Sequence, residues 1–223
     1  MQFIQTSDRS LGAAALRTRL TKELTDGLRV LWLVSGGSNI AISVAVMDSL
    51  PQELTSRLII MLADERHGPV GHADSNATQL LAAGFDHKQA ALVPVLVGDR
   101  SLEETRLSYD AEAREAYTES DVIIGQLGMG ADGHIAGLLP GSSGLDSAEF
   151  VAAYQTKQYD RLTLTSHALK RLNVAYVFAF GEDKQPQLHR LQELTLPYSE
   201  QPAQILKELP EVYIFNDEIG EQI

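Results

Sequence analysis

The chain has 223 residues, 44% of them hydrophobic and 22% charged, with no cysteine and a formal net charge of -12. The missing cysteine excludes a disulfide framework, thiolate metal ligands and a cysteine nucleophile. The acidic balance and the absence of a basic block argue against nucleic acid, whose phosphates would meet a repulsive average field. A small anion is still allowed, because salt screens distant surface charge beyond ~8–10 Å and a few local cations can hold it.

Residues 9–27 have the spacing of an amphipathic helix, with Leu11, Ala14, Ala15, Leu20 and Leu24 on one face. The apolar run 29–34 reads as a strand buried on both faces and ends at Ser35-Gly36-Gly37-Ser38. A helix over 39–49 and a strand over 58–62 are expected next, followed by a polar loop over 64–75. Further along come a helix over 76–83, an extended segment over 92–97 and a helix over 102–117. The strand 121–127 runs into Gly128-Met129-Gly130-Ala131-Asp132-Gly133-His134. Strands over 149–155, 161–165, 173–180 and 211–216 and a helix over 182–194 complete the pattern. Strands alternating with helices predict a mostly parallel sheet covered on both sides, in one domain spanning 1–223. The N-terminal residues lack the basic and apolar blocks of a signal peptide, and no apolar run reaches the ~20 residues of a membrane span. A cytoplasmic location is expected, with neither membrane nor nucleic acid as partner.

In such sheets ligands bind at the carboxyl ends of strands. Ser35-Gly36-Gly37-Ser38 lets the backbone approach an anion and leads into a helix N-terminus, although a capped turn would have the same sequence. The run from Gly128 formally matches a dinucleotide fingerprint, but Asp132 would repel a pyrophosphate and no acid lies ~20 residues on. Asp132 and His134 around one glycine instead suit a carboxylate that orients an imidazole base. A helix over 135–139 capped by His134 is the structural alternative. His67, His72, His87, His167 and His189 show no metal-ligand spacing, so no metal site and no cofactor are expected. Neither serine-rich glycine cluster fits a nucleophile elbow, which leaves water as the nucleophile of any hydrolysis. Asp64-Glu65-Arg66 offers a cation for an anion or oxyanion, and Asp74-Ser75-Asn76 offers a helix cap.

Taken in order, Ser35-Gly36-Gly37-Ser38, Asp64-Glu65-Arg66 with Asp74-Ser75-Asn76, Gly128 to His134 continuing to Pro140-Gly141, Arg161 to Thr165, and Gly181 to Lys184 resemble the 6-phosphogluconolactonases and the related glucosamine-6-phosphate deaminases/isomerases. The resemblance implies a three-layer α/β/α fold that hydrolyses 6-phospho-D-glucono-1,5-lactone, a step of the oxidative pentose phosphate pathway, without cofactor. It makes His134 the base that activates water, with Asp132 in support and Arg66 at the lactone end. Ser35, Gly36, Gly37, Arg161 and Lys184 would hold the substrate phosphate, and Asp64, Gly130 and Gly133 would complete the pocket. The continuation Gly137-Leu138-Leu139-Pro140-Gly141 resembles the lactonase branch, as does Arg66 where deaminases carry Tyr. A deaminase/isomerase and a non-catalytic sugar-phosphate sensor are the alternatives. Asn39, Ala63, Gly137 and Leu139 depart from the family pattern and bear on specificity and efficiency. The implied partner is a small sugar phosphate, and monomer and small homo-oligomer both remain open.

Overall fold

The computed structural model describes residues 1–222. Eight strands form one parallel sheet: β1 (Gln2–Gln5), β2 (Val30–Val34), β3 (Leu58–Leu62), β5 (Ala91–Leu92), β6 (Val122–Gly128), β9 (Val174–Phe178), β10 (Val212–Asn216) and β11 (Glu221–Gln222). Their order is β11-β1-β10-β9-β6-β2-β3-β5, and every pairing in it is parallel. Every residue of β2 and of β9 is buried, as expected for central strands covered on two faces. The flanking helices are α1 (Arg9–Thr25), α2 (Ile40–Ser49), α3 (Asn76–Ala82), α4 (Leu102–Glu119), α5 (Ser166–Leu169) and α6 (Gln185–Glu193). This is the expected three-layer α/β/α class. Among the described residues no helix is long and apolar enough to cross a membrane.

Several boundaries differ from the reading by pattern. Asp64–Arg66, expected as loop, is a strand (β4) in a second sheet with β7 (Val151–Gln155) and β8 (Asp160–Leu164). That sheet is antiparallel, so the strands expected at 149–155 and 161–165 lie outside the parallel one. Three polar residues carry no alternation, and only their partner strand shows that they are extended. Of the expected extended segment 92–97 only Leu92 lies in a strand, Ala91–Leu92, while β1, β11, α5 and a 3₁₀ segment at Pro202–Glu208 fall outside the expected elements. The helix expected from 39 begins at Ile40, after a 3₁₀ turn over Gly37–Asn39, and the one expected from 182 begins with a 3₁₀ turn over Glu182–Lys184.

The buried stripe of α1 is Gly12, Leu16, Leu20, Glu23 and Leu24, whereas Leu11 is exposed. Gly12 sets this face. A Cβ there would stand 2.5 Å from Cε1 of Phe178 and 2.9 Å from Cγ of Phe215, two rings stacked 5.6 Å apart on β9 and β10. The helix therefore lies directly on the sheet at this point. Gly12→Ala is expected to cost ~1–3 kcal/mol of stability by overpacking, read as a lower denaturation midpoint with an unchanged m-value.

Candidate active site

Loops from the carboxyl ends of β2, β3, β6 and β9 surround a cleft of about 260 Å³. It lies where the strand order changes direction: from β2 the chain proceeds outward to β3, whereas β6 and β9 lie on the other side. Crevices at such switch points are the usual ligand sites of open parallel sheets.

The first wall is the turn Ser35-Gly36-Gly37-Ser38-Asn39, which opens into α2. Gly37 has φ +62, a left-handed conformation that only glycine adopts without strain. Gly36 is glycine for a different reason, since a Cβ there would lie 2.0 Å from Oδ1 of Asn76. The turn thus presents backbone and the positive end of a helix to the cleft, as an anion requires.

The second wall comes from the small antiparallel sheet. Arg66 of β4 and Arg161 of β8 are register partners, so these two cations stand side by side. Arg66 donates from Nη1 to the Asp74 carbonyl (2.8 Å) and lies over the Tyr159 ring, 5.4 Å from its centroid. Arg161 reaches the Asp64 carboxylate at 3.4 Å. Burial raises the Asp64 carboxyl above its ordinary pKa, and the charges of Arg161, Arg66 and His134 oppose that rise. Glu65, pointing the other way, accepts from the backbone N–H groups of Arg66, Asn76 and Ala77 and from the Ser75 hydroxyl, at 2.6–2.9 Å. Ser75 caps α3 by accepting from the Thr78 N–H, so the helix-cap reading of Asp74-Ser75-Asn76 holds together with its place beside the site. Asn76 donates from Nδ2 to the Asp64 carbonyl (2.9 Å) and lines the cleft.

The glycine run forms the floor. No helix follows it: Met129 bridges to Ile135, and Ile135 to Leu138. This removes both the His134-capped helix and the dinucleotide reading, which needs a helix N-terminus directly after the glycines. The Gly130 N–H donates to the His134 carbonyl and the Gly133 N–H to the Gly130 carbonyl, each at 3.0 Å, closing a tight loop. Inside it the Asp132 carboxylate accepts from the His134 backbone N–H (3.1 Å) and lies 2.6 Å from His134 Nδ1. Asp132 hydrogen bonding to His134 pulls its carboxyl pKa down to about 2. The lowered pKa keeps the carboxylate ionised below its ordinary range, so the couple's contribution is full above pH 3.8 and is lost as pH falls through about 2. Near neutrality Asp132 is therefore a fixed acceptor, Nδ1 carries the proton directed at it, and Nε2 is left to the cleft.

Ser35, Gly36, Gly37, Asp64, Arg66, Gly130, His134, Arg161 and Lys184 all line one cavity. Two other expected residues do not line it. Asp132 stands behind His134, and Gly133 faces Gln201 and Gln187, whose atoms a Cβ would meet at 2.8 and 3.0 Å. Gly133 shapes the loop, with φ +82, rather than touching a ligand. Lys184 lines the cleft but also pairs with Asp183 at 2.8 Å. Asn76, Gly128, Ala136, Phe178 and Phe180 are lining residues to which the sequence assigned no binding role, and Asn39, a departure from the family pattern, lines it too. His67, His72, His87, His167 and His189 do not line it, and no His/Asp/Glu group with metal-binding geometry occurs among the described residues.

Of nine sealed side-chain polar atoms with no hydrogen-bond partner among the described residues, five belong to cleft residues: Ser35 Oγ, Asn39 Oδ1, Arg66 Nε, Asn76 Oδ1 and Arg161 Nε.

The switch point of a parallel α/β sheet thus gathers a glycine turn leading into a helix, two arginines in register and an Asp–His couple. Residues 8–214 match the family model described as glucosamine-6-phosphate isomerases/6-phosphogluconolactonase, and the chain belongs to that family. A 6-phosphogluconolactonase of Pseudomonas aeruginosa is 38% identical over 141 residues, covering 61% of this chain and 57% of the relative. One from Neisseria meningitidis serogroup A is 29% identical over 190 residues, covering 77% and 81%. The chain spans less than two thirds of the length of the Pseudomonas aeruginosa relative and of a Mesorhizobium japonicum one. Among solved structures, 6-phosphogluconolactonases of Shewanella baltica and Thermotoga maritima superpose with TM-scores of 0.78 and 0.79. Each is 20% identical; the first covers 97% of both chains, the second 96% of this chain and 97% of the other. At that identity the likeness is one of fold.

Proposed function

We propose that this chain is a single-domain cytoplasmic lactonase that hydrolyses 6-phospho-D-glucono-1,5-lactone to 6-phospho-D-gluconate. The observation that carries this reading is the Asp132–His134 couple, held at 2.6 Å, whose imidazole lines a cleft walled by a glycine turn and two adjacent arginines. The names of its curated relatives agree with it.

In this reading the substrate phosphate lies against Ser35, Gly36 and Gly37, with Arg161 and Lys184 supplying positive charge. His134 Nε2 takes a proton from water as the water oxygen attacks the lactone carbonyl carbon. Asp132 keeps the ring in the correct tautomer and stabilises the imidazolium that forms. Arg66 stabilises the negative charge developing on the carbonyl oxygen. When the intermediate collapses, the bond from that carbon to the ring oxygen breaks. The imidazolium returns its proton to the departing oxygen, and one water has been added overall. Because Arg66 and Arg161 share a wall, both ends of a bound lactone lie within reach of one positive patch. The cleft thus concentrates an anion on a chain of formal charge -12.

Background-corrected loss of the lactone with purified protein is the test. Turnover above the spontaneous rate with no ammonia released from glucosamine-6-phosphate is expected. Ammonia release would transfer the site to the deaminase branch, and binding without turnover on either substrate would make it a sensor.

A further inference from the structure

One stretch outside the cleft bears on the loop that carries His134. Among the described residues, one hydrogen bond reaches residues 130–134 from beyond the loop: the Ala203 N–H donates to the Gly133 carbonyl at 3.0 Å. Gln201 covers the same residue, its Cγ lying 2.8 Å from the point that a Cβ of Gly133 would take. The bare glycine therefore lies directly against residues 201–203, one position before His134. Gln201 is fully buried, and its carboxamide is paired at both ends. Nε2 donates to the Gln187 carbonyl (2.7 Å) and to Gln187 Oε1 (3.1 Å), and Oε1 accepts from Gln204 Nε2 (2.6 Å). Gln187 belongs to α6, which begins directly after the cleft residue Lys184. The amide thus ties the segment that holds Gly133 to a helix that starts at the cleft. A buried amide must be paired in one geometry, because leaving it unpaired is costly, so it fixes direction as well as contact.

We infer that Gln201 is a positioning residue for His134. It does not line the cleft, and it acts through Ala203 and Gly133. The Gly133 N–H is committed to the Gly130 carbonyl, so with its own carbonyl held by Ala203 both peptide groups of Gly133 are fixed. His134 follows at once, and its carbonyl closes the loop on the Gly130 N–H. Releasing Gln201 from Gln187 frees residues 201–203 to shift, and the Gly133 carbonyl shifts with them. The imidazole then loses its set position beside the Asp132 carboxylate, 2.6 Å away. For the rate this rests on the proposed lactonase reading, whereas the effect on the imidazole does not.

Gln201→Met keeps the length and the apolar body against Gly133 and removes the amide. Gln187 is half-buried, and Gln187→Ala takes away only its Oε1 acceptor. Three quantities are read for the wild type and each variant. They are kcat on 6-phospho-D-glucono-1,5-lactone, the calorimetric Kd of 6-phosphogluconate, and the nitrogen NMR signals of the His134 imidazole, assigned with His134→Asn. Gln201→Met is expected to lower kcat about tenfold to a hundredfold, the loss that follows misplacement of a reacting group by up to about 1 Å. Gln187→Ala is expected to lower it about twofold to tenfold, the range of one neutral hydrogen bond. Kd should not move, because the groups assigned to the phosphate lie on other loops. The imidazole signals should pass from those of one tautomer, protonated at Nδ1, to an average of two. A lowered denaturation midpoint with unchanged kcat and unchanged nitrogen signals would overturn the inference in favour of a purely structural Gln201. Equal losses in kcat and in affinity would overturn it in favour of a general loosening of the cleft. If Gln201→Met does not fold, Gln187→Ala decides by the same readings. If the wild type turns over no lactone, the lactonase reading fails and the nitrogen signals alone decide the role of Gln201. If turnover is present and neither kcat nor the signals move in either variant, Gln201 loses its role and the lactonase reading stands.

Discussion

Replacing His134 with alanine is expected to lower kcat for the lactone by ~10²–10⁴, the usual contribution of a positioned general base. The couple with Asp132 is the reason to expect this size of effect. Nδ1 is committed to the carboxylate at 2.6 Å, so one ring nitrogen is fixed and the other is presented to the cleft. The loss belongs in kcat, while KM for the phosphorylated substrate should move little, because the groups assigned to the phosphate lie on other loops. Stopped assays with the spontaneous opening rate subtracted separate the two parameters. A variant with wild-type kcat would remove His134 from the chemistry.

Gly130→Ala is expected to cost at least ~10² in kcat although it removes no functional group, since misplacement by about 1 Å is enough for such a loss. A Cβ at Gly130 would sit 2.1 Å from His134 Nδ1 and 2.6 Å from Asp132 Oδ1, inside the couple itself. The backbone that carries both partners is tied in place, so the side chains must give way. The His134 carbonyl is tied to the Gly130 N–H, its backbone N–H to Asp132, and the Gly133 N–H to the Gly130 carbonyl. For the methyl group to fit, the imidazole must turn away from its carboxylate. Rates measured beside His134→Ala give the check. Retention of near-wild-type kcat in Gly130→Ala would show that the couple is not what sets the rate.

Much of this site was legible because apolar strands of β2, β3 and β6 end abruptly in polar or glycine-rich turns, and loops at strand ends are where parallel sheets bind ligands. Ser35 to Gly37, Arg66, Gly130 and His134 could be found that way, and all line the cleft. What stayed hidden depends on distance in the chain. That Arg66 faces Arg161 follows from the register of two short antiparallel strands separated by more than ninety residues, and nothing local encodes it. Phe178 and Phe180 read as core because an aromatic ring at the end of a buried strand has the same pattern whether or not one edge meets a cavity. Asn76 reads as helix start and is also cleft wall. The glycines divide in the same way. Gly37 and Gly133 answer a backbone requirement that turn chemistry signals, whereas Gly36, Gly128 and Gly130 leave room for side chains that only the fold brings near. The exposed Leu11 shows the converse, an apolar residue at helical spacing that the sheet does not reach because Gly12 is the contact.

In the proposed reaction His134, oriented by Asp132, drives water onto a phosphorylated lactone. The most direct measurement is acid release at constant pH from 6-phospho-D-glucono-1,5-lactone, with the spontaneous rate subtracted, for the wild type and for His134→Asn side by side. Catalysed release by the wild type and a loss of ~10²–10⁴ in the variant at unchanged affinity for 6-phosphogluconate are expected. Equal rates for the two proteins, or no release above background by the wild type, would contradict it.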